Sequence, residues 1–524
     1  MNAEFPYLSR RMPVLGANVV ATSQPLASQA GASMLARGGN AVDAAVAAAI
    51  TLTVVEPVNN GLGSDAFAIV AYEGELHGLN ASGRSPRASS ADRFSGQSRV
   101  PMLGWDSVTV PGAVSAWVQL SERFGRLPFE TLFEPAIRYA EEGYLVSPVI
   151  AGQWEAVAGL FGSFDEFRRV FLPKGRAPRA GEKMHLPELG ASLRAVAQSR
   201  GAALYAGSLG EAFVAASSAA GSLFTMDDLA AHRADWVDPV GIDFAGVRVH
   251  EIPPNGQGIA ALMALGILKH TDVLEHQVDS VRSLHLQVEA MKLAFADVHR
   301  FVSDPSTMEV KTDDLLDDGY LAARARKIDP QRALEFDAGR PPVGDTVYLC
   351  AADDGGTMVS YIQSNYFSFG SGIVVPGTGM SLQNRGSGFS TQAGHANAYG
   401  PGKRPFHTII PGFVTKDGRP LMAFGLMGGP MQPQGHLQLV LRIFGHGQNP
   451  QAAADGPRWQ VTEGFGVAVE EGVDPSVRDA LAALGHDVSV APAILFGGAQ
   501  AALAVDGGYV AATESRKDGV VAAF

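Results

Sequence analysis

Apolar residues change their spacing near residue 346. Upstream, most apolar stretches repeat at helical intervals: 24–37, then 41–55 after a Gly38-Gly39-Asn40 break, and later 284–302 and 315–327. The first two are rich in alanine, which lets helices approach a sheet or another helix closely. The run 66–72, after Gly61-Leu62-Gly63-Ser64-Asp65, reads as a buried strand that turns at Glu73-Gly74. The middle, roughly 112–340, is mainly helical. Downstream of 346 the pattern becomes strands and glycine turns, with hairpins at Lys416-Asp417-Gly418 and Asp506-Gly507-Gly508. One helix, 434–444, follows Gly428-Gly429-Pro430, itself preceded by a strand at 421–426. Helices outside and sheets inside predict an α+β fold, a four-layer αββα sandwich.

The strongest hairpin signal joins strands 346–351 and 357–364 through Asp353-Asp354-Gly355-Gly356. A three-residue loop 354–356 puts Gly356 where a left-handed residue is wanted and sets Thr346 opposite Ser364. Directly paired residues have Cβ atoms roughly 5 Å apart. A threonine hydroxyl is a poor nucleophile unless a base lies beside it. Its own α-amino group serves if the Asp345–Thr346 bond is cut, with the Ser364 hydroxyl orienting the amine. The proline- and glycine-rich loop 336–344 just before it reads as an exposed, pliable segment, as a cleavage region should be.

Composition narrows the partners. The 524 residues suffice for one large core or two to three ordinary ones, and 61 glycines suit tightly packed layers. A net charge of −13 without charge runs argues against nucleic acid and anionic membrane. No uncharged stretch reaches membrane-spanning length, and residues 1–11 lack the apolar core of a signal peptide, so the cytoplasm is the expected compartment. Cys350 is the only cysteine and reads as a packing thiol. His285, His299, His395 and His436 show no metal spacing with carboxylates, so no metal is assigned. Gly61-Leu62-Gly63-Ser64-Asp65 lacks the lysine of a phosphate loop and reads as packing, so no cofactor is assigned either. Gly428-Gly429, between a strand and a helix, is either a plain tight turn or an oxyanion site built from free amides.

Several segments are recognisable in order: Gly38-Gly39-Asn40-Ala41-Val42-Asp43, Thr225-Met226-Asp227-Asp228-Leu229, His285 to Asp297, Asp304-Pro305, Asp345-Thr346, Phe369-Gly370-Ser371-Gly372, Pro401-Gly402-Lys403-Arg404-Pro405, Gly428-Gly429 and Arg516-Lys517-Asp518-Gly519. With these the chain resembles the γ-glutamyltranspeptidase family of N-terminal nucleophile hydrolases, from about Ala17 onward, and within it the oxamate-amidohydrolase-like members. The resemblance implies a proenzyme that cleaves itself between Asp345 and Thr346. Its large chain, 1–345, and small chain, 346–524, would share one αββα unit, alone or as a dimer of such units. It implies an acyl-enzyme on Thr346, Ser364 as the hydroxyl contacting the amine, and Gly428 and Gly429 as the oxyanion site. Arg84 matches the arginine that grips a substrate carboxylate, with Arg87 as its rival.

Where family members bind a glutamyl ammonium through an asparagine and an aspartate, this chain has Tyr366 and the stretch Arg385-Gly386-Ser387-Gly388, without an acid. The paired serines of the carboxylate side appear as His407 and Thr408. His407 reads as a ligand or a supporting residue, since Thr346 brings its own base. Burying an ammonium without an anion costs several kcal/mol. The expected substrate is therefore a small amide with a carboxylate and no amine, oxamate-like or glutaryl-like, with Arg385 either a second carboxylate ligand or a loop support. The alternatives are a true γ-glutamyl hydrolase or transpeptidase acting on glutathione, and a catalytically silent binding protein.

Overall fold

A computed structural model describes residues 11–336 and 345–524 of the chain; most of the expected cleavage loop, 337–344, lies outside the described residues. Two seven-stranded sheets form the interior. The first runs in the order Val520–Ala523, Val19–Thr22, Asp345–Ala352, Met358–Tyr366, Asp65–Tyr72, Glu75–Asn80, Asp235–Val237. The second runs Val14–Gly16, Gly508–Thr513, Gly498–Val505, Arg419–Met427, Gly412–Lys416, Val247–Glu251, Val240–Phe244. Segments on both sides of residue 345 interleave in each sheet, so neither part has a core of its own.

Helices Pro25–Ala36 and Ala41–Val55 pack on the outer face of the first sheet. Gly258–Leu268, Val281–Phe301 and Met431–Val440 pack on the outer face of the second. Between the sheets lies a separate apolar layer that includes Phe67, Ile69, Tyr348, Cys350, Ile362, Phe413, Ala423 and Ala502. These are the four αββα layers expected. The Ala41–Val55 helix, buried along its whole length, starts where the Gly38-Gly39-Asn40 break predicts. Asn40 Oδ1 accepts from the Val42 and Asp43 amides, and Asp43 accepts from the Asn40 amide, which closes the first turn without water.

The central hairpin has the predicted register. Val347 pairs with Gln363 and Ala352 with Met358, and Gly356 closes the loop at φ +85°. At its open end a β-bulge sets Ser364 and Asn365 against Thr346, between the pairs Asp345–Tyr366 and Val347–Gln363. The glycine hairpins at 416–418 and 506–508 are also present.

Three expectations need correction. The middle of the chain also supplies strands, Asp235–Val237, Val240–Phe244 and Val247–Glu251, too short for their alternation to stand out among helices. The helix placed at 434–444 begins at Met431 and runs through Val440 into a π turn, Leu441–Gly445. Pro433 sits in its first turn, where an N–H has no intrahelical acceptor to lose. The helix placed at 315–327 is two, Thr312–Leu315 and Asp318–Ala325, because Asp317 Oδ1 accepts from the Tyr320 amide and starts a new helix.

The two sheets meet closely at Gly425, where an added Cβ would lie 2.4 Å from the Tyr348 ring. Gly425→Ala is expected to destabilise the protein by about 1–3 kcal/mol through overpacking, read as a lowered melting temperature.

Candidate active site

The alternation of side chains places Thr346, Ser364 and Asp65 in a row on three neighbouring strands, all facing the second sheet. Ser364 pairs directly with Asp65, and the same faces carry Tyr348, Ile362 and Phe67 into the layer between the sheets. Thr346 is buried, and its Oγ1 donates to Ser364 Oγ at 3.3 Å. Ser364 Oγ in turn accepts from the Tyr366 amide at 2.7 Å. A second group reaches Thr346 from a helix packed on the second sheet: Gln432 Nε2 donates to its Oγ1 at 3.3 Å.

Gln432 belongs to the helix that follows Gly428 and Gly429. The two glycines take φ values of +117° and +58°, a path that a side chain would strain. The Gly428 carbonyl accepts from the Met431 amide, and the Gly429 carbonyl accepts from the Gln432 amide and from Gln257 Nε2 at 2.9 Å. With those carbonyls tied, the planes of the peptides are set. Among the described residues neither glycine N–H has an acceptor. Gln257 Nε2 also donates to the Thr408 carbonyl at 2.6 Å, which joins the glycine turn to segment 407–408.

On the other side of Ser364 stands a buried positive charge. Arg385 Nη1 donates to Thr408 Oγ1 at 2.7 Å, and the guanidinium lies 4.8 Å from the centre of the Tyr366 ring. Its Nε and Nη2 are buried without a partner. Burial lowers the Arg385 pKa to about 10, which leaves the group charged at neutral pH. Tyr366 holds φ +80°, a strained value for a bulky residue, immediately after the bulge.

His407 and Asp65 form a fully buried pair, Nε2 to Oδ2 at 3.1 Å. The Ile409 amide points at His407 Nδ1, 3.4 Å away, which assigns the proton to Nε2 and makes it the donor to Asp65. Burial, reinforced by Arg385 and Arg404, holds His407 well below its ordinary pKa. Burial also raises the Asp65 carboxyl to about 7, although Arg385 and the Gly83 amide oppose this. His407 is thus occupied with Asp65.

Of the predicted site residues, the structure brings together Thr346, Ser364, Tyr366, Arg385, His407, Thr408, Gly428 and Gly429. The Arg84 side chain is 44% exposed, pairs with Asp304 at 2.9 Å, and lines a cavity of about 200 Å³ with Arg87 and Arg404. The Ser387 hydroxyl donates to the Asn384 carbonyl of its own turn. Gly61 and Gly63 lie against the backbone and side chain of Ser381, as packing residues should. Their neighbour Asp65, read with them as packing, belongs to the site. Gln257 and Gln432 were missed as well, since a lone glutamine carries no motif.

Cys350 lies in the inter-sheet layer, and burial pushes its thiol up, as expected of a packing residue. The histidines need one correction. His285 and Glu289 are one helical turn apart and meet His486, with ligand atoms within 4.8 Å of one another. Glu289 is already engaged by Lys292 at 2.8 Å and by the Leu334 amide at 3.1 Å, and His285 Nε2 meets the Asp329 carbonyl at 2.8 Å. The cluster therefore ties segment 329–334 to the long helix.

A threonine leading a central strand of an αββα sandwich, with a glycine turn beside it, defines the class of N-terminal nucleophile hydrolases. The comparisons agree with this geometry. The sequence profile of the family described as Gamma-glutamyltranspeptidase matches residues 27–524. The chain is 38% identical over 445 residues to the glutathione hydrolase-like YwrD proenzyme of Bacillus subtilis, covering 84% of each. It is 36% identical over 481 residues to the oxamate amidohydrolase proenzyme of Klebsiella pneumoniae, covering 89% of this chain and 90% of that protein. The crystal structure of a cephalosporin acylase from Bacillus halodurans superposes with a TM-score of 0.96 at 46% identity, covering 100% and 99% of the two chains. The chain belongs to the gamma-glutamyltranspeptidase family and is an enzyme of the N-terminal nucleophile hydrolase class.

The raised Asp65 carboxyl sets the sign of a pH effect. Between its ordinary value of 3.8 and about 7, the folded state keeps a proton that the unfolded chain has released. Stability from this group therefore falls as pH rises through that window and is level above it. Asp65→Asn should remove this slope. The expected result is that the variant gains stability relative to the wild type between about pH 5 and about pH 7.5, measured by denaturant titration.

Proposed function

We propose that this protein is a self-cleaving threonine amidohydrolase that acts on small amides bearing a carboxylate. The cut between Asp345 and Thr346 divides the chain into 1–345 and 346–524 and gives Thr346 a free α-amine, its own general base. Ser364 Oγ, 3.3 Å from Thr346 Oγ1, then orients that amine. Thr346 Oγ1 attacks the substrate carbonyl, its proton passes to the amine, and the oxyanion is held by the Gly428 and Gly429 amides. The leaving amine takes the proton, and water later releases the acyl group. The proenzyme names of the relatives support the cleavage step.

The observation that carries the substrate reading is Arg385, a buried guanidinium whose Nε and Nη2 have no partner. That edge is the one a carboxylate engages with two parallel hydrogen bonds. A buried cation repels a substrate ammonium. Asp65, the nearby acid, is committed to His407 and to the Gly83 amide. The names of two relatives, an oxamate amidohydrolase and a cephalosporin acylase, point in the same direction. The alternative, glutathione-type chemistry, has the name of the Bacillus subtilis relative in its favour.

Denaturing gels check the first step. Wild-type protein should give two bands that divide at residue 345, and Thr346→Ala a single uncut band; identical single bands from both would refute self-cleavage. For the substrate, oxamate and a glutaryl anilide should be turned over much faster than a γ-glutamyl anilide. Arg385→Met should lower kcat/KM for the carboxylate substrates by about 100-fold or more while leaving cleavage of the chain intact. Preferential turnover of the γ-glutamyl compound would reverse the assignment of the pocket.

A further inference from the structure

The side chain of Gln432 is fully buried and its orientation is set at both ends. Its Oε1 accepts from the Ile410 amide at 3.0 Å, so the amide cannot be flipped, and Nε2 is turned to Thr346 Oγ1 at 3.3 Å. Its backbone N–H is tied to the Gly429 carbonyl at 3.1 Å. One residue thus braces the glycine turn with its main chain and touches the threonine oxygen with its side chain. Ser364 contacts the same oxygen from the neighbouring strand, so the two contacts come from a strand of the first sheet and from the helix that follows the glycine turn.

We propose that Gln432 is a catalytic residue whose Nε2–H stabilises Thr346 Oγ1 whenever that oxygen carries negative charge. The inference rests on the reading of Thr346 as the nucleophile. In acylation the Oγ1–H proton passes to the α-amine, the Oγ1–carbon bond forms, and the carbonyl π pair moves to the oxyanion. Collapse of that intermediate breaks the carbon–nitrogen bond. In deacylation a water adds to the ester carbonyl and gives up a proton to the amine. The carbon–Oγ1 bond then breaks with its electron pair on Oγ1, and the proton returns from the ammonium. Oγ1 gains charge on entry and again on departure, and the Gln432 donor is in place for both. The same donor serves the cut in the precursor, where Oγ1 attacks the Asp345 carbonyl carbon. The Asp345–Thr346 carbon–nitrogen bond breaks as the Oγ1–H proton passes to that nitrogen, which becomes the free α-amine; water then opens the resulting ester, restoring Oγ1–H and leaving Asp345 a carboxylate.

The test uses the full chain with Gln432→Met, which keeps length without a donor, and Gln432→Glu, which keeps the acceptor for Ile410 and removes the donor toward Thr346. Cleavage is followed on denaturing gels. Turnover of a glutaryl anilide is followed as burst and steady state, with the acylated small chain read by mass. Both variants should fold, cleave about 10- to 1000-fold more slowly, and, once cut, show a comparable loss in kcat with the acyl-enzyme accumulating. Thr346→Ala separates the two readings. If Thr346→Ala is still cut, the threonine assignment itself is wrong. If it stays whole while both Gln432 variants cleave and turn over within about twofold of wild type, only the role of Gln432 falls. Failure of both to fold would also overturn the proposal, because the amide would then be a structural brace.

Discussion

A strand buried on both faces has a single workable register, because a shift of one residue would exchange everything it buries. The hairpin of Asp345–Ala352 and Met358–Tyr366 is in that position. Tyr348, Cys350 and Ile362 face the second sheet, while Val347, Leu349 and Tyr361 face the helical layer. The register holds up to Val347–Gln363 and then breaks at the bulge. That break is where Thr346 and Ser364 meet and where Tyr366 is turned into a strained conformation. The candidate nucleophile sits at the end of a hairpin buried on both faces, and its geometry follows from that packing.

The second constraint is charge in a dry interior. Arg385, Asp65 and His407 are buried together, and each is handled differently. His407 is held neutral and gives its proton-bearing nitrogen to Asp65. Asp65 takes its hydrogen bonds from the protein. Arg385 stays charged with only one nitrogen of its fork engaged. A buried cation with free donors is costly unless an anion completes it. The carboxylate of the proposed substrate would complete it.

Much of this was legible along the chain. The helix breaks at Gly38-Gly39-Asn40, the three glycine hairpins and the pairing of Thr346 with Ser364 were all readable, because each depends on neighbours a few residues away. The reading failed where a local signal had two meanings. The helix placed from Gln434 begins at Met431, with Pro433 in its first turn. Asp65 sits in a glycine-rich segment that reads as packing, and it holds His407. The Arg84 side chain pairs with Asp304 and is partly exposed, which its motif alone does not show.

The sequence by itself determined the layers, the central hairpin, the candidate nucleophile with its hydroxyl partner, and the glycine pair beside it. Periodicity and turn chemistry act over short stretches of backbone, so they survive without knowledge of the rest. Only the tertiary structure decided that Gln432 and Gln257 join the site, that Asp65 holds His407, and that Arg385 is buried beside Tyr366 and Thr408 while Arg84 pairs with Asp304. Those contacts cross between sheets and between segments hundreds of residues apart. They depend on strand order and on the direction each side chain takes once the layers have closed, which no local pattern encodes.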